Sequence, residues 1–268
     1  MWCRLLTFSQ FTDYCLYRSA NFSILFCVLL SMFSLVSLPS LSATSQVVSL
    51  VTEHYPPYQI VSESGEITGI HAKIIQRIKQ KTNLSFDEQV MPWARAYHTA
   101  LNRSNTCIYS MIRLPEREDN FTWIGELGPS VEKIFATKKT AKDLTITSVA
   151  DVKKYIVAAQ RGDLIIELLT KRGFDVKTNL MEVSNWTQTI KLVLYGRAQL
   201  IVSNQEIIDY YFNVLHLPPD TLVPVYTLPE LSEAKHYLAC HPDTDQDILT
   251  QLTLATAEVN QELQRQSR

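Results

Sequence analysis

Glycine is scarce in this chain, with seven residues in 268, and none are gathered into a loop of the kind that cradles phosphates. Cysteine is scarce as well: five are present, and Cys3, Cys15 and Cys27 fall within the first 43 positions. No cluster has the spacing of a metal site. His236, Cys240 and His241 come nearest, but on a strand positions 236 and 241 point to opposite faces, and no cofactor is expected. Strong charge of either sign is missing too. The formal net charge is −2, without the basic excess that nucleic acid requires. There is no repeat of solenoid period. What is left is a globular composition, 46% apolar, in a chain long enough for one large or two small cores.

A signal peptide is expected over residues 1–43. Arg18 supplies a positive flank, Phe22 to Leu38 form an apolar segment interrupted by serines, and Leu41-Ser42-Ala43 offers a small-residue cleavage point. An uncleaved N-terminal anchor is the alternative, since about 20 apolar residues span a bilayer. In the oxidising compartment to which such a leader would direct the chain, Cys107 and Cys240 are read either as one disulfide or as two buried thiols.

From Val47 onward strand-like and helix-like patterns alternate, the mark of an α/β architecture. Strands are predicted at Val47–Thr52, Leu84–Val90, Cys107–Ile112, Tyr155–Ala159, Val176–Val183, Leu200–Ser203, Val223–Leu228 and Tyr237–Cys240. Trp123 to Lys138 reads as one extended run. Helices are predicted at Ile70–Lys81, Pro92–Leu101, Leu164–Lys171, Thr187–Tyr195, Glu206–Leu215 and Asp245–Gln264, with a short one capped by Ser148. Two α/β halves of similar size imply a cleft between them.

One corner carries recognition chemistry. The strand ending at Ile112 delivers Arg113, Pro115 and Arg117, and the chain returns through Phe121 and Trp123. Guanidinium forks hold anions bidentately, and aromatic faces cover the rest of a small molecule. The plainer reading is a pair of solvated surface arginines.

Several segments in order resemble the family 3 extracytoplasmic solute-binding proteins, receptors of polar amino-acid ABC importers. They are YPPY (Tyr55 to Tyr58), Gly69 leading into a helix, RLPEREDNFTWIG (Arg113 to Gly125), VAAQRGDLIIELL (Val157 to Leu169) and LYGRAQLIVSNQEI (Leu194 to Ile207). The resemblance covers residues 47 to 268. It implies a type II periplasmic-binding-protein fold: two lobes, each a mostly parallel sheet flanked by helices, joined by two hinge crossovers. Lobe one would span 47–136 plus 228–268, and lobe two 137–227. In that topology Cys107 and Cys240 lie on neighbouring antiparallel strands, within reach of a bridge. By the same resemblance Arg117 holds a ligand carboxylate, Tyr58 packs on the ligand, and Ser110 hydrogen-bonds to it.

Two positions depart from the amino-acid pattern. Asp163 stands where a Thr or Ser would donate to the carboxylate, and Asn204 stands where an aspartate would bind the ammonium. They point to a different small polar solute, either an anion met by Arg113 and Arg117 or a cation met by Asp163 and aromatic faces. Trp93 is read as cleft lining or as core, Trp186 as bordering the cleft or as core, and Tyr55 as a ligand platform or as support for Pro56. The implied function is non-enzymatic capture of a solute by a monomeric periplasmic protein, with an ABC permease as partner. A membrane sensor is the alternative partner, and a small dehydratase-like enzyme the remaining alternative.

Overall fold

The computed structural model describes residues 47–266. The signal peptide expected over residues 1–43 lies outside them. The first run of elements is β1 (Val47–Thr52), β2 (Ile60–Val61), β3 (Ile67–Thr68), α1 (Ile70–Gln80), β4 (Ser85–Val90), α2 (Trp93–Asn102), β5 (Thr106–Ile112) and β6 (Thr122–Pro129). The second is β7 (Lys133–Thr137), α3 (Lys138–Ala141), α4 (Val149–Val152), β8 (Val157–Gln160), α5 (Leu164–Lys171), β9 (Leu180–Val183), α6 (Trp186–Leu194), β10 (Leu200–Ser203), α7 (Gln205–Val214) and β11 (Leu222–Thr227). The chain ends with β12 (Lys235–Cys240) and α8 (Gln246–Gln266).

Two five-stranded sheets result, in the orders β4-β1-β5-β12-β6 and β11-β7-β10-β8-β9. In the first, β12 runs against both its neighbours while the others share one direction. In the second, β7 is the reversed strand. Both sheets are therefore mostly parallel, which requires cover on both faces. On the first sheet Val48 and Leu50 face the apolar stripe of α1 (Ile74, Ile75, Ile78) and that of α8 (Ile248, Leu252, Val259). Val51 and Ile108 face Trp93, Ala96 and Ala100 of α2 on the opposite side. The second sheet is likewise held between α4 and α5 on one face and α6 and α7 on the other. Each fully buried aliphatic side chain contributes roughly 1.5–3 kcal/mol.

Strand β5 carries a bulge at Ser110. The register with β12 slips between Tyr237, opposite Met111, and Leu238, opposite Tyr109, so Ser110 is left unpaired with φ 64°. Ile108 and Met111, three apart, then share one face of the sheet. An extra residue in one strand re-aims the side chain it carries. Cys107 and Cys240 are directly opposite in the same ladder and are bonded through their sulfurs.

Three segments differ from the sequence pattern. Residues 176–179 are not strand, because Asp175 folds them into a turn: its Oδ1 accepts from Lys177 N at 2.7 Å and its carbonyl from Thr178 N and Asn179 N. The loop after Arg113 forms a 3-10 turn over Pro115–Asn120. The extended run from Trp123 to Lys138 is broken at residues 130–132, where the chain leaves the first sheet for the second.

Candidate functional site

The strand ends of the two sheets meet around a cavity of about 30 Å³. From the first sheet's side it is lined by Glu53, Tyr55, Trp93, Ser110, Arg117 and His236. From the other side come Asp163, Leu164 and Trp186, and Glu132 joins them from the crossover.

Arg117 rises from the 3-10 turn and is only 4% exposed. One guanidinium nitrogen donates to the carbonyl of Ile112 at 3.3 Å, and the group lies 5.0 Å from the centre of the Tyr97 ring. Its Nε is buried with no acceptor. Among the described residues it forms no ion pair, and burial lowers its pKa, opposed by the charges of Asp163, Glu167 and Glu116. Arg113 behaves differently. Its side chain is 41% exposed, pairs with Glu118 and lies over the rings of Trp123 and Tyr237. It does not line the cavity. The strand's exit separates the two arginines: Ile112 faces inward, so Arg113 emerges on the solvent side.

The remaining sequence-derived residues fall into two groups. Tyr55, Trp93, Ser110 and Asp163 reach the cavity wall. Trp93 belongs at the same time to the core under α2. Ser110 Oγ is engaged by the side-chain amide of Gln59 and by His71 Nδ1 at 2.8 Å. Asp163 caps α5, accepting from Ile165 N at 3.2 Å, and burial raises its pKa. Tyr58 and Asn204 stand behind the wall. Tyr58 stacks on His71 with ring centres 4.4 Å apart and meets His236 edge-on at 4.8 Å. Asn204 is fully buried. Its Oδ1 caps α7 through Ile207 N, and its Nδ2 donates to Ser130 Oγ at 3.3 Å and to Glu132 Oε1 at 3.1 Å.

Two carboxylates of this wall are not among the residues singled out from sequence. Glu132 is 3% exposed, and burial pushes it up to about 7 despite donors from Ser130 and Asn204. Glu53, half-buried just past the end of β1, is pushed up to about 8 by the protein packed round its carboxylate. Across the cleft, Gln160 Nε2 donates to Glu53 Oε2 at 2.5 Å. Glu53 had a legible signal, since ligands in α/β sheets bind beyond the carboxyl ends of strands. Glu132 had only its place in the break between two extended segments. Further contacts join the two sides: Tyr55 and Trp186 have ring centres 5.7 Å apart, and Lys171 Nζ lies 3.0 Å from Glu116.

A wall holding one buried guanidinium, three carboxylates and several aromatic faces suits a small charged solute rather than an apolar one. Comparison with known proteins bears on the family and the fold. The model of the bacterial extracellular solute-binding proteins, family 3, matches residues 47–266. Among curated proteins none matches the chain. Among solved structures, the chain is similar to a histidine kinase sensor domain with similarity to periplasmic binding proteins, with TM-score 0.69, 16% identity, and coverage of 84% of this chain and 93% of that one. It is similar to the arginine-binding protein ArgBP from T. maritima in its holo form, with TM-score 0.65, 18% identity and coverage of 80% and 90%. It is also similar to the substrate-binding protein of an amino acid ABC transporter, with TM-score 0.64, 17% identity and coverage of 81% and 94%. At these identities the structures establish a shared fold, that of the type II periplasmic binding proteins. With the match spanning all the described residues, the chain belongs to the bacterial extracellular solute-binding proteins, family 3.

Proposed function

We propose that this protein is a periplasmic receptor that captures a small polar solute in the cleft between its two sheets and presents the closed form to a membrane partner. The observation that carries this is Arg117: a guanidinium 4% exposed, on a cavity wall built from both sheets, with an Nε that no group among the described residues satisfies. Leaving a buried charged donor unpaired costs several kcal/mol, and an acceptor on a ligand removes that penalty.

The lobes of this reading meet where the chain crosses, at residues 130–132 and 228–234. These points lie a few residues from the divisions expected from sequence, because β7 pairs with β10 and β11. The cavity of about 30 Å³ is small, with room for on the order of two waters. Seating a solute of several heavy atoms therefore requires the two sheets to separate and close again, and closure is favoured because only then does the solute touch both. In this reading Arg117, Tyr55, Trp93 and Asp163 contact the solute, while Ser110, Tyr58 and Asn204 support the wall.

An ABC permease is the proposed partner, by analogy with the similar amino acid transporter protein. The similar sensor domain favours a second reading, in which the closed form signals to a membrane kinase. Binding without turnover, by a monomer, is proposed for both. The test is thermal stabilisation of the protein, freed of its leader, across a panel of small polar solutes. A stabilising solute whose effect disappears in Arg117→Ala supports the reading. A panel without effect, or an effect indifferent to Arg117, removes it.

A further inference from the structure

The charges of the cleft do not balance. Arg117 and the first turn of α5 together offset Asp163, whose carboxylate accepts from Ile165 N and feels the Arg117 charge. Glu53 and Glu132 have no such counterpart: among the described residues neither forms an ion pair, and the charges acting on them are those of other acids, Asp163 on both and Glu206 on Glu132. Each accepts only from neutral donors, and on one oxygen. Ser130 Oγ at 2.7 Å and Asn204 Nδ2 at 3.1 Å both go to Glu132 Oε1. Gln160 goes to Glu53 Oε2. Among the described residues no donor reaches the other oxygen of either carboxylate, and both side chains line the cavity.

Three further polar atoms on this wall are buried and unpartnered: Arg117 Nε, Trp186 Nε1 and His236 Nδ1. Their side chains are 4%, 5% and 1% exposed. A wall with orphaned donors and uncompensated carboxylates is complementary to a solute with an acceptor and at least one ammonium. We propose that Glu132 and Glu53 are the cation-binding residues of this cleft, and that its ligand is a small amine-bearing solute of net positive charge, taken up in exchange for protons. The inference rests on the binding reading above and deepens it: Glu132, from the crossover, supplies beside Asn204 the carboxylate that position 204 lacks.

The exchange follows from what surrounds the two acids. Glu53 is faced by Asp163, Tyr55 and Tyr211, and Glu132 by Asp163, Glu206, Tyr55 and Tyr58. These neighbours are acidic or neutral near neutral pH, and His236 on the same wall is held neutral by burial and by His71. Without a cation the cleft favours protonated carboxyls; a bound ammonium favours carboxylates, and the protons leave to solvent. Binding of the cation should accordingly strengthen as pH rises towards about 8.

The experiment is titration calorimetry of the protein, freed of its leader, near neutral pH in phosphate and in Tris, two buffers with different heats of protonation. The probes are lysine and arginine, their decarboxylated counterparts cadaverine and agmatine, and glutamate and glutamine as anionic and neutral controls. At least one cation should bind with net proton release, and Glu132→Gln, which keeps the side chain's size, should weaken it by roughly ten- to a hundredfold. Preference for the amino acid over its amine would assign the carboxylate to Arg117, and equal binding would show that no carboxylate is needed; both support the proposal. It is overturned if no cation binds, if glutamate or glutamine binds in their place, or if a cation binds without releasing protons. Binding of a control instead would leave the receptor reading standing, so the two failures are distinguishable. Proton release is read on the unaltered protein, so the test survives a variant that does not fold.

Discussion

Asn204 Nδ2 donates to Glu132 Oε1 at 3.1 Å while Asn204 Oδ1 accepts from Ile207 N, also at 3.1 Å. One side chain thus ties the start of α7 to the crossover between the sheets. Asn204→Asp would keep the helix cap and set a second carboxylate against Glu132. Two carboxylates in one buried site cannot both ionise. The variant should lose thermal stability between about pH 6 and about pH 8 more steeply than the unaltered protein. Superimposable melting profiles would show that this contact is not made in solution.

The pH dependence of the ligand-free protein has two limbs. Glu53 and Glu132 are raised from 4.5 to about 8 and about 7. Their contribution to stability is complete below about 4.5 and is lost as pH rises through those values. His71, lowered to about 3 by burial, and His236, held well below the usual range by burial, act in reverse. Their contribution is complete above about 6.5 and is lost as pH falls. Melting temperature should therefore change little between about pH 5 and about pH 6.5, where the limbs offset, and fall from there to about pH 8. Glu53→Gln should flatten the alkaline limb. Calorimetric scans rising steadily to about pH 8 would contradict both assignments.

Gly162 turns the chain from β8 into α5 with φ +78°, and a Cβ there would lie 2.8 Å from Ala94 Cβ on α2, across the cleft. Gly162→Ala should lose about 1–2 kcal/mol from the left-handed backbone. It should also hold the two sheets apart. Small-angle scattering is expected to show a larger radius for the ligand-free variant, and an unchanged radius would mean that this contact does not limit closure.

The Cys107–Cys240 bond joins residues 133 apart. Closing so long a loop in the unfolded chain corresponds to about 2–5 kcal/mol. Replacing both cysteines by alanine should lower stability to urea by that amount. A loss under about 1 kcal/mol would place the stabilisation in the flanking ladder instead.

Arg113 and Arg117, four residues apart, should respond oppositely to alanine. Arg113, paired with Glu118 at the surface, is expected to change stability by no more than about 1 kcal/mol and to leave solute binding intact. Arg117→Ala should abolish the solute response while the protein remains folded. Equal effects on binding would return Arg113 to the cleft.

Local pattern carried much of the architecture. The stripe Ile74, Ile75, Ile78 has helical spacing and is buried as one face of α1. The run Leu200-Ile201-Val202 is apolar throughout because β10 lies between β7 and β8. Leu164–Lys171 begins at an Asp cap, and Ser148 with Asp151 forms a capping box; both are decided by neighbours in sequence. Where local pattern misled, at residues 176–179, the competitor was equally local, the side chain of Asp175 binding its own turn.

The site was legible only in part. Arg117, Tyr55 and Asp163 could be found because they stand at strand ends or helix starts, places that sequence punctuation marks. Glu132 could not, since a serine two residues before it is no signal of a buried acid, and its other partner, Asn204, is 72 positions away. The same holds for His71, set against Ser110 at a separation of 39, and for Gln160, brought to Glu53 over 107.

The sequence by itself determined the alternation of elements, the caps and the sheet-forming runs, because those depend on interactions a few residues long. Only the tertiary structure decided which charges face one another. Burial and pairing are properties of what surrounds a group in space, and for a carboxylate they set whether it holds a proton, a neutral donor or a cation.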